Sequence, residues 1–204
     1  MENKPFRLAI VGGIAVGKST IINSLLQSVS DCVLIEEDVK KNIFLSDFYA
    51  DMKKWAFHSR ISTLAMIAEN YLQISDDTSA KVVLMDRCLD ELITFAQLHY
   101  DEGNLSNKEF AVYKMLYKSV VNLAPPIDLF IYVHCSAEKS MERIRQRNRP
   151  FEQGITIEYI NTVNSYYQSW LETLDREKVI SLCTDEAIPL SSIKQIISNI
   201  ILAE

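Results

Sequence analysis

The chain has 204 residues, 48% of them hydrophobic, and a net charge of −6, which suits one α/β domain with a substantial core and argues against a surface built for nucleic acid. Four widely separated cysteines, without a Cys-x-x-Cys pair or a histidine at metal-ligand spacing, exclude a disulfide framework and a zinc site. No apolar run reaches transmembrane length and the first predicted strand follows too soon for a signal peptide, so a cytoplasmic protein with no membrane partner is expected.

Leu8 to Val11 read as a buried strand, which runs through Gly12-x-x-x-x-Gly17-Lys18-Ser19 into a helix with Ile21, Ile22, Leu25 and Leu26 at helical spacing. Strand, glycine-bounded loop and helix in that order form a phosphate cradle. The backbone from Gly12 and Gly13 through Ile14, Ala15, Val16 and Gly17 to Thr20 can present inward N–H groups. Lys18 can reach terminal phosphates, and the Ser19 hydroxyl can ligate Mg²⁺. Three of the chain's five glycines fall here, so a nucleoside triphosphate is the expected ligand.

Cys32 to Glu36 form a second strand that ends in Glu36-Glu37-Asp38. Asp38 suits the N-cap of the next helix, leaving Glu37 as the candidate general base and Glu36 as its competitor. One long helix is expected from about Asp47 to Ile74, with Trp55, Ile61, Leu64, Ile67, Ala68 and Tyr71 recurring along it. After a polar break at Ser75 to Ser79, Lys81 to Met85 give a third strand leading into Asp86-Arg87. At that strand end Asp86 can hold Mg²⁺ directly or through water, and Arg87 can steer a phosphate or fix a carboxylate.

Leu89 to Tyr100 resume helical periodicity, and a Ser106–Glu109 capping box opens a helix that Pro125-Pro126 stop. Asp128 to Val133 form a fourth strand. A basic helix from Ser136 carries Arg143, Arg145, Arg147 and Arg149, which cannot share one helix face unless the helix ends among them, as Pro150 and Gly154 suggest. The run therefore reads as a lid over phosphates, at about residues 143–154. A helix from Ile155 to Leu174, a strand from Val179 to Leu182 and a terminal helix from about Pro189 complete the chain. Alternating strands and helices imply a five-stranded parallel sheet covered on both faces, a three-layer P-loop kinase fold in one domain. Trp55 and Phe95 fall to the core, and His58, His99 and His134 form no nucleophile or metal constellation.

Taken together, these residues resemble the deoxynucleoside kinase family over nearly all of residues 1–204. Arg143-x-x-x-Arg147-x-Arg149 and Glu152 match the family lid position for position, with Phe151 in place of its first glutamate. The resemblance implies ATP contacts from the P-loop and from Arg143, Arg147 and Arg149, and a catalytic set of Glu37, Lys18, Arg87 and Arg147. The family base precedes Pro-Val, which aligns with Glu37-Asp38-Val39 and implies that Glu37 activates the sugar 5′-hydroxyl. Tyr49, six residues before Trp55, is implied to hold the 3′-hydroxyl together with Glu152, and Phe95 falls near the residue that stacks on the nucleobase. Asp86-Arg87-Cys88 stands where the family has Glu-Arg-Ser. A homodimer packed through helices is also implied.

The pattern departs at two positions. Arg60 replaces a base-reading Gln, and because Arg only donates it can favour acceptor-rich edges such as cytosine N3/O2 or guanine O6/N7, or instead bind a carboxylate or a substrate phosphate. Asn42 replaces an aromatic residue, which should open the pocket wall. The expected reaction is transfer of the ATP γ-phosphoryl group, with Mg²⁺, to the 5′-hydroxyl of a deoxynucleoside. The alternatives are a nucleoside monophosphate kinase, with Arg60 and Arg87 on the substrate phosphate, and a nucleotide-binding subunit without catalysis.

Overall fold

Five apolar runs form one all-parallel sheet: β1 (Phe6–Val11), β2 (Cys32–Ile35), β3 (Val82–Asp86), β4 (Leu129–His134) and β5 (Val179–Cys183), ordered β2-β3-β1-β4-β5. The computed structural model describes residues 4–37, 39–74 and 80–186; the expected cap Asp38, the polar break Ser75 to Ser79 and the terminal helix from Pro189 lie outside them. Parallel neighbours need crossovers. Those described are α1 (Lys18–Leu26), α2 (Leu45–Ala50), α3 (Met52–Ile74), α4 (Leu92–Asp101), α5 (Asn107–Val121), α6 (Ala137–Arg147) and α7 (Ile157–Leu171).

Side-chain alternation divides the sheet between two layers. Ala9, Val11, Val83, Met85, Phe130 and Tyr132 join a core with residues of α3, α4, α5 and α7. Leu8, Ile10, Leu84, Ile131 and Val133 pack instead with Ile21, Ile22 and Leu25 of α1. Because both faces are covered, the strands read as continuous apolar runs. A smaller cluster of Ile14, Ala137, Ile144, Ile155 and Ile160 ties the loop after β1 to α6 and α7. Ile10 pairs with Asp86 on one side and Ile131 on the other, so the carboxyl ends of β3, β1 and β4 form one edge.

Several boundaries follow the expected chemistry. Ser106 accepts from the Glu109 N–H at 3.3 Å, and the Glu109 carboxylate accepts the Ser106 N–H at 2.8 Å, completing the capping box. The helix α6 stops at Arg147 because Asn148 turns left-handed (φ 45°), and Pro150–Glu152 follow as a 3₁₀ turn. The single helix expected from Asp47 to Ile74 is two. Asp51 breaks it with φ −151° and ψ 87°, and its Oδ1 accepts the Lys54 N–H at 3.1 Å to cap α3. The helix α4 begins at Leu92 rather than Leu89, leaving Arg87 to Glu91 in a turn beneath the sheet edge. No helix among the described residues is long and apolar enough to cross a membrane.

Candidate active site

The loop between β1 and α1 is shaped by close contact. Gly12 has φ 145°, and a Cβ there would lie 2.1 Å from the Val133 carbonyl oxygen, so only glycine fits between β1 and β4. Its N–H, expected to face a phosphate, donates instead to Glu91 Oε2 at 3.4 Å. Gly13 through Thr20 line the cavity without Gly12. Gly17, at φ 98°, is the N-cap of α1, and no side chain caps that helix, which leaves its N-terminal dipole open to an anion.

Lys18 Nζ donates to the carbonyls of Gly12 at 2.9 Å and Gly13 at 2.7 Å, folding the side chain onto its own loop. Burial, then the Arg87 charge, bring its pKa from 10.5 down to about 8, against the opposing pull of Asp86, Glu91 and Glu37. Bound phosphates favour the ammonium form and raise that pKa again. Triphosphate affinity should therefore fall by about tenfold per pH unit once pH rises past 8, with proton uptake on binding. Calorimetric titration in buffers of different ionisation enthalpy reads both effects, and Lys18→Arg should flatten the profile because Arg stays charged.

Strand ends carry the opposite wall. Arg87, at φ 69°, follows β3 in a left-handed conformation, with its N–H on the Ile10 carbonyl at 3.2 Å. Its Nε donates to Glu37 Oε2 at 2.6 Å, and its Nη1 to Tyr167 Oη at 3.0 Å and Glu91 Oε1 at 3.4 Å. Tyr167 in turn donates to Glu91 Oε2 at 2.5 Å. Arg87 is thus engaged with carboxylates. Glu91 has no exposure, and burial pushes its carboxyl up against the pull of Arg87 and Lys18. Sequence reasoning missed both Glu91 and Tyr167. The signal for Glu91 was its i,i+4 spacing from Arg87, whereas Tyr167 is 76 residues from its carboxylate partner and left none. Glu36 is exposed, while Glu37 is held with a side chain 13% exposed.

Asp86 Oδ1 is buried without a hydrogen-bond partner, and burial raises its pKa despite nearby Lys18. An orphaned carboxylate oxygen on the same cavity as Ser19 fits Mg²⁺, which takes one or two protein oxygens and fills its other positions with water and substrate phosphates.

Phe48 and Tyr49 on α2, Arg60 on α3 and Phe95 on α4 bound an aromatic slot in this cavity. Tyr49 stacks on Phe151 with centroids 6.2 Å apart, and burial pushes its phenol up to about 12. Phe95 serves both core and slot, packing edge-on against Tyr167 at 5.8 Å. Trp55 stacks on Phe44 at 5.6 Å, outside the cavity lining. Asn42 does not open the wall as expected. Its Nδ2 donates to Ser59 Oγ and Thr63 Oγ1, both at 3.0 Å, and its Oδ1 accepts the Phe44 N–H at 3.1 Å, so it staples the chain to α3.

Arg143 and Arg147, four residues apart on α6, both line the cavity; Arg145 does not. The guanidinium of Arg143 donates to Thr184 O at 2.6 Å and Oγ1 at 2.9 Å, bracing the loop after β5, and Thr184 is a third residue unseen in sequence. Arg147 is bidentate to Glu152 at 2.7 and 2.6 Å, and Arg149 Nη1 lies 3.6 Å from the same carboxylate. Glu152, only 4% exposed, thus faces arginines rather than the Tyr49 hydroxyl.

All the expected site residues except Gly12 therefore border one cavity of about 610 Å³, with the phosphate cradle at one end and the aromatic slot at the other. The sequence matches the deoxynucleoside kinase family across residues 8–202. The chain belongs to the deoxynucleoside kinase family. It is 32% identical to deoxyadenosine kinase of Dictyostelium discoideum over 83% of this chain and 68% of the relative. Identity to deoxyadenosine/deoxycytidine kinase of Bacillus subtilis is 28%, over 86% and 81%. Deoxyadenosine kinase from M. mycoides, solved with bound dCTP, shares the fold at a TM-score of 0.81 and 23% identity, covering 98% of this chain and 100% of that one. This deoxynucleoside kinase is an ATP-dependent phosphotransferase acting on a nucleoside hydroxyl.

Proposed function

We propose that this kinase transfers the γ-phosphoryl group of ATP to the 5′-hydroxyl of a deoxynucleoside, with Glu37 as the base. The observation that carries this reading is the Glu37 carboxylate at the end of β2, gripped through Oε2 by Arg87 at 2.6 Å on the cavity shared with the phosphate cradle. The nucleoside oxygen bonds to the γ-phosphorus as the bond from that phosphorus to the β–γ bridging oxygen breaks. Its proton goes to Glu37, and ADP leaves with the bond's electron pair. Lys18, Arg143, Arg147 and Arg149 face the phosphate charge, while Arg87 keeps Glu37 in position. Mg²⁺, held by Ser19 and Asp86 with ATP, would neutralise charge on the β- and γ-phosphates. Residues 143–154 act as the lid: as Arg147 turns to the phosphates, Glu152 becomes available with Tyr49 for the sugar 3′-hydroxyl.

A nucleoside is favoured over a monophosphate because Arg87 is committed to Glu37, Glu91 and Tyr167, leaving Arg60 alone to meet a dianion. Arg60 and Phe95 then face the base. The relatives' names span deoxyadenosine, deoxycytidine and deoxyguanosine kinases. Assay of the four natural deoxynucleosides against their monophosphates, with ATP as donor, should show transfer to nucleosides. Transfer to monophosphates alone would replace this reading, and no transfer to any acceptor would favour a non-catalytic subunit. The proposal extends to one domain over residues 1–204, assembled as a homodimer in the cytoplasm.

A further inference from the structure

Arg60 is only 9% exposed, yet among the described residues it has no carboxylate partner. The nearby acids are taken: Glu37 and Glu91 by Arg87, Glu152 by Arg147 and Arg149. Its guanidinium carbon lies 5.0 Å from the Phe48 ring centre and 5.3 Å from that of Phe95. Nη2 donates to Ser59 Oγ at 3.1 Å, and the same hydroxyl accepts from Asn42 Nδ2 at 3.0 Å, which fixes the fork from behind. Nε is buried with no partner. A buried charge with an unmet donor is costly unless a ligand supplies acceptors.

Resting on the deoxynucleoside reading above, we infer that Arg60 selects bases presenting two adjacent acceptors, so that this kinase prefers a cytosine or guanine deoxynucleoside. A planar fork of parallel N–H groups matches cytosine N3/O2 and guanine N7/O6. Thymine, and adenine on its Watson–Crick and Hoogsteen edges, put a donor beside each acceptor, so one N–H of the fork would face another N–H. A phosphate is the poorer ligand here. It would bring two negative charges to one cation flanked by the electron-rich faces of two phenyl rings.

Calorimetric titration of the full chain with the four deoxynucleosides reads this preference directly. Deoxycytidine or deoxyguanosine should bind about tenfold or more tighter than deoxyadenosine and thymidine, in line with the worth of a hydrogen bond to a charged group. On the unaltered protein, 3-deaza-2′-deoxycytidine and 7-deaza-2′-deoxyguanosine each remove one acceptor. A tenfold loss with one of them identifies which base edge is read. Arg60→Gln, which offers one donor and one acceptor, should abolish the discrimination while preserving the circular dichroism spectrum. If that variant fails to fold, the deaza analogues decide.

Equal or tighter binding of deoxyadenosine or thymidine overturns the inference. So does loss of affinity with neither analogue, an unchanged order in a folded Arg60→Gln, or tighter and base-independent binding of monophosphates. Phosphoryl transfer is read separately: the expected binding order without transfer would refute the proposed reaction and leave the role of Arg60 standing.

Discussion

Glu37→Gln should lower kcat by about 10²–10⁴-fold, the range over which a positioned general base contributes, while ATP affinity stays near that of the unaltered protein. The amide keeps the shape of the carboxylate and still offers Arg87 an acceptor oxygen, so the 2.6 Å grip and the cavity wall should survive. What the amide cannot do is take the hydroxyl proton at neutral pH. Steady-state kinetics with saturating nucleoside, alongside titration with ATP, separate lost chemistry from lost binding. Glu36→Gln is the paired control: it alters an exposed neighbour on the same wall and should leave turnover within a few-fold. Reversal of the two results would move the base to Glu36.

Arg87→Met should produce the largest loss of stability. The change removes the shared cation of Glu37 and Glu91, in a place where the Arg87 side chain is 11% exposed and that of Glu91 is not exposed at all. Breaking a buried ion pair by deleting one partner costs about 3–5 kcal/mol, so Tm should fall by roughly 6–20 °C for a chain of this size. The deficit should shrink as pH is lowered. Burial already raises the Glu91 pKa above its ordinary value, and losing Arg87 raises it further. A carboxyl raised in the folded state favours folding when protonated, and that contribution is lost as pH climbs from the unfolded to the folded pKa. Thermal denaturation from about pH 5 to 8, with Arg87→Met/Glu91→Gln as the charge-relieved comparison, measures it. An equal deficit at every pH would mean that the unpaired Glu91 charge is not its origin.

The sheet was legible because its strands are buried on both faces, and the phosphate loop because its geometry depends on neighbouring residues. Continuous periodicity hid the break at Asp51, since both α2 and α3 contribute to the same apolar layer. Asn42 was misread for another reason: a polar residue in place of an aromatic one suggests space, whereas its hydrogen bonds to Ser59, Thr63 and the Phe44 backbone depend on a fold that one sequence does not display. Gly12 was legible as a glycine, but the close approach that requires it, to the Val133 carbonyl on a neighbouring strand, was not. Thr184 could not be foreseen, being 41 residues beyond Arg143.

The carboxylate of Glu91 receives the Gly12 N–H from the cradle, the guanidinium that holds Glu37, and the Tyr167 hydroxyl. One acid therefore sets the alignment tolerance between the half of the cavity proposed to hold a phosphate donor and the half proposed to activate its acceptor. Small slippage of β1 against β3, from a substitution anywhere along their shared ladder, reaches both halves through the same few hydrogen bonds. Reacting atoms displaced by about 1 Å can cost 10²-fold in rate, so residues remote from the chemistry carry part of its precision.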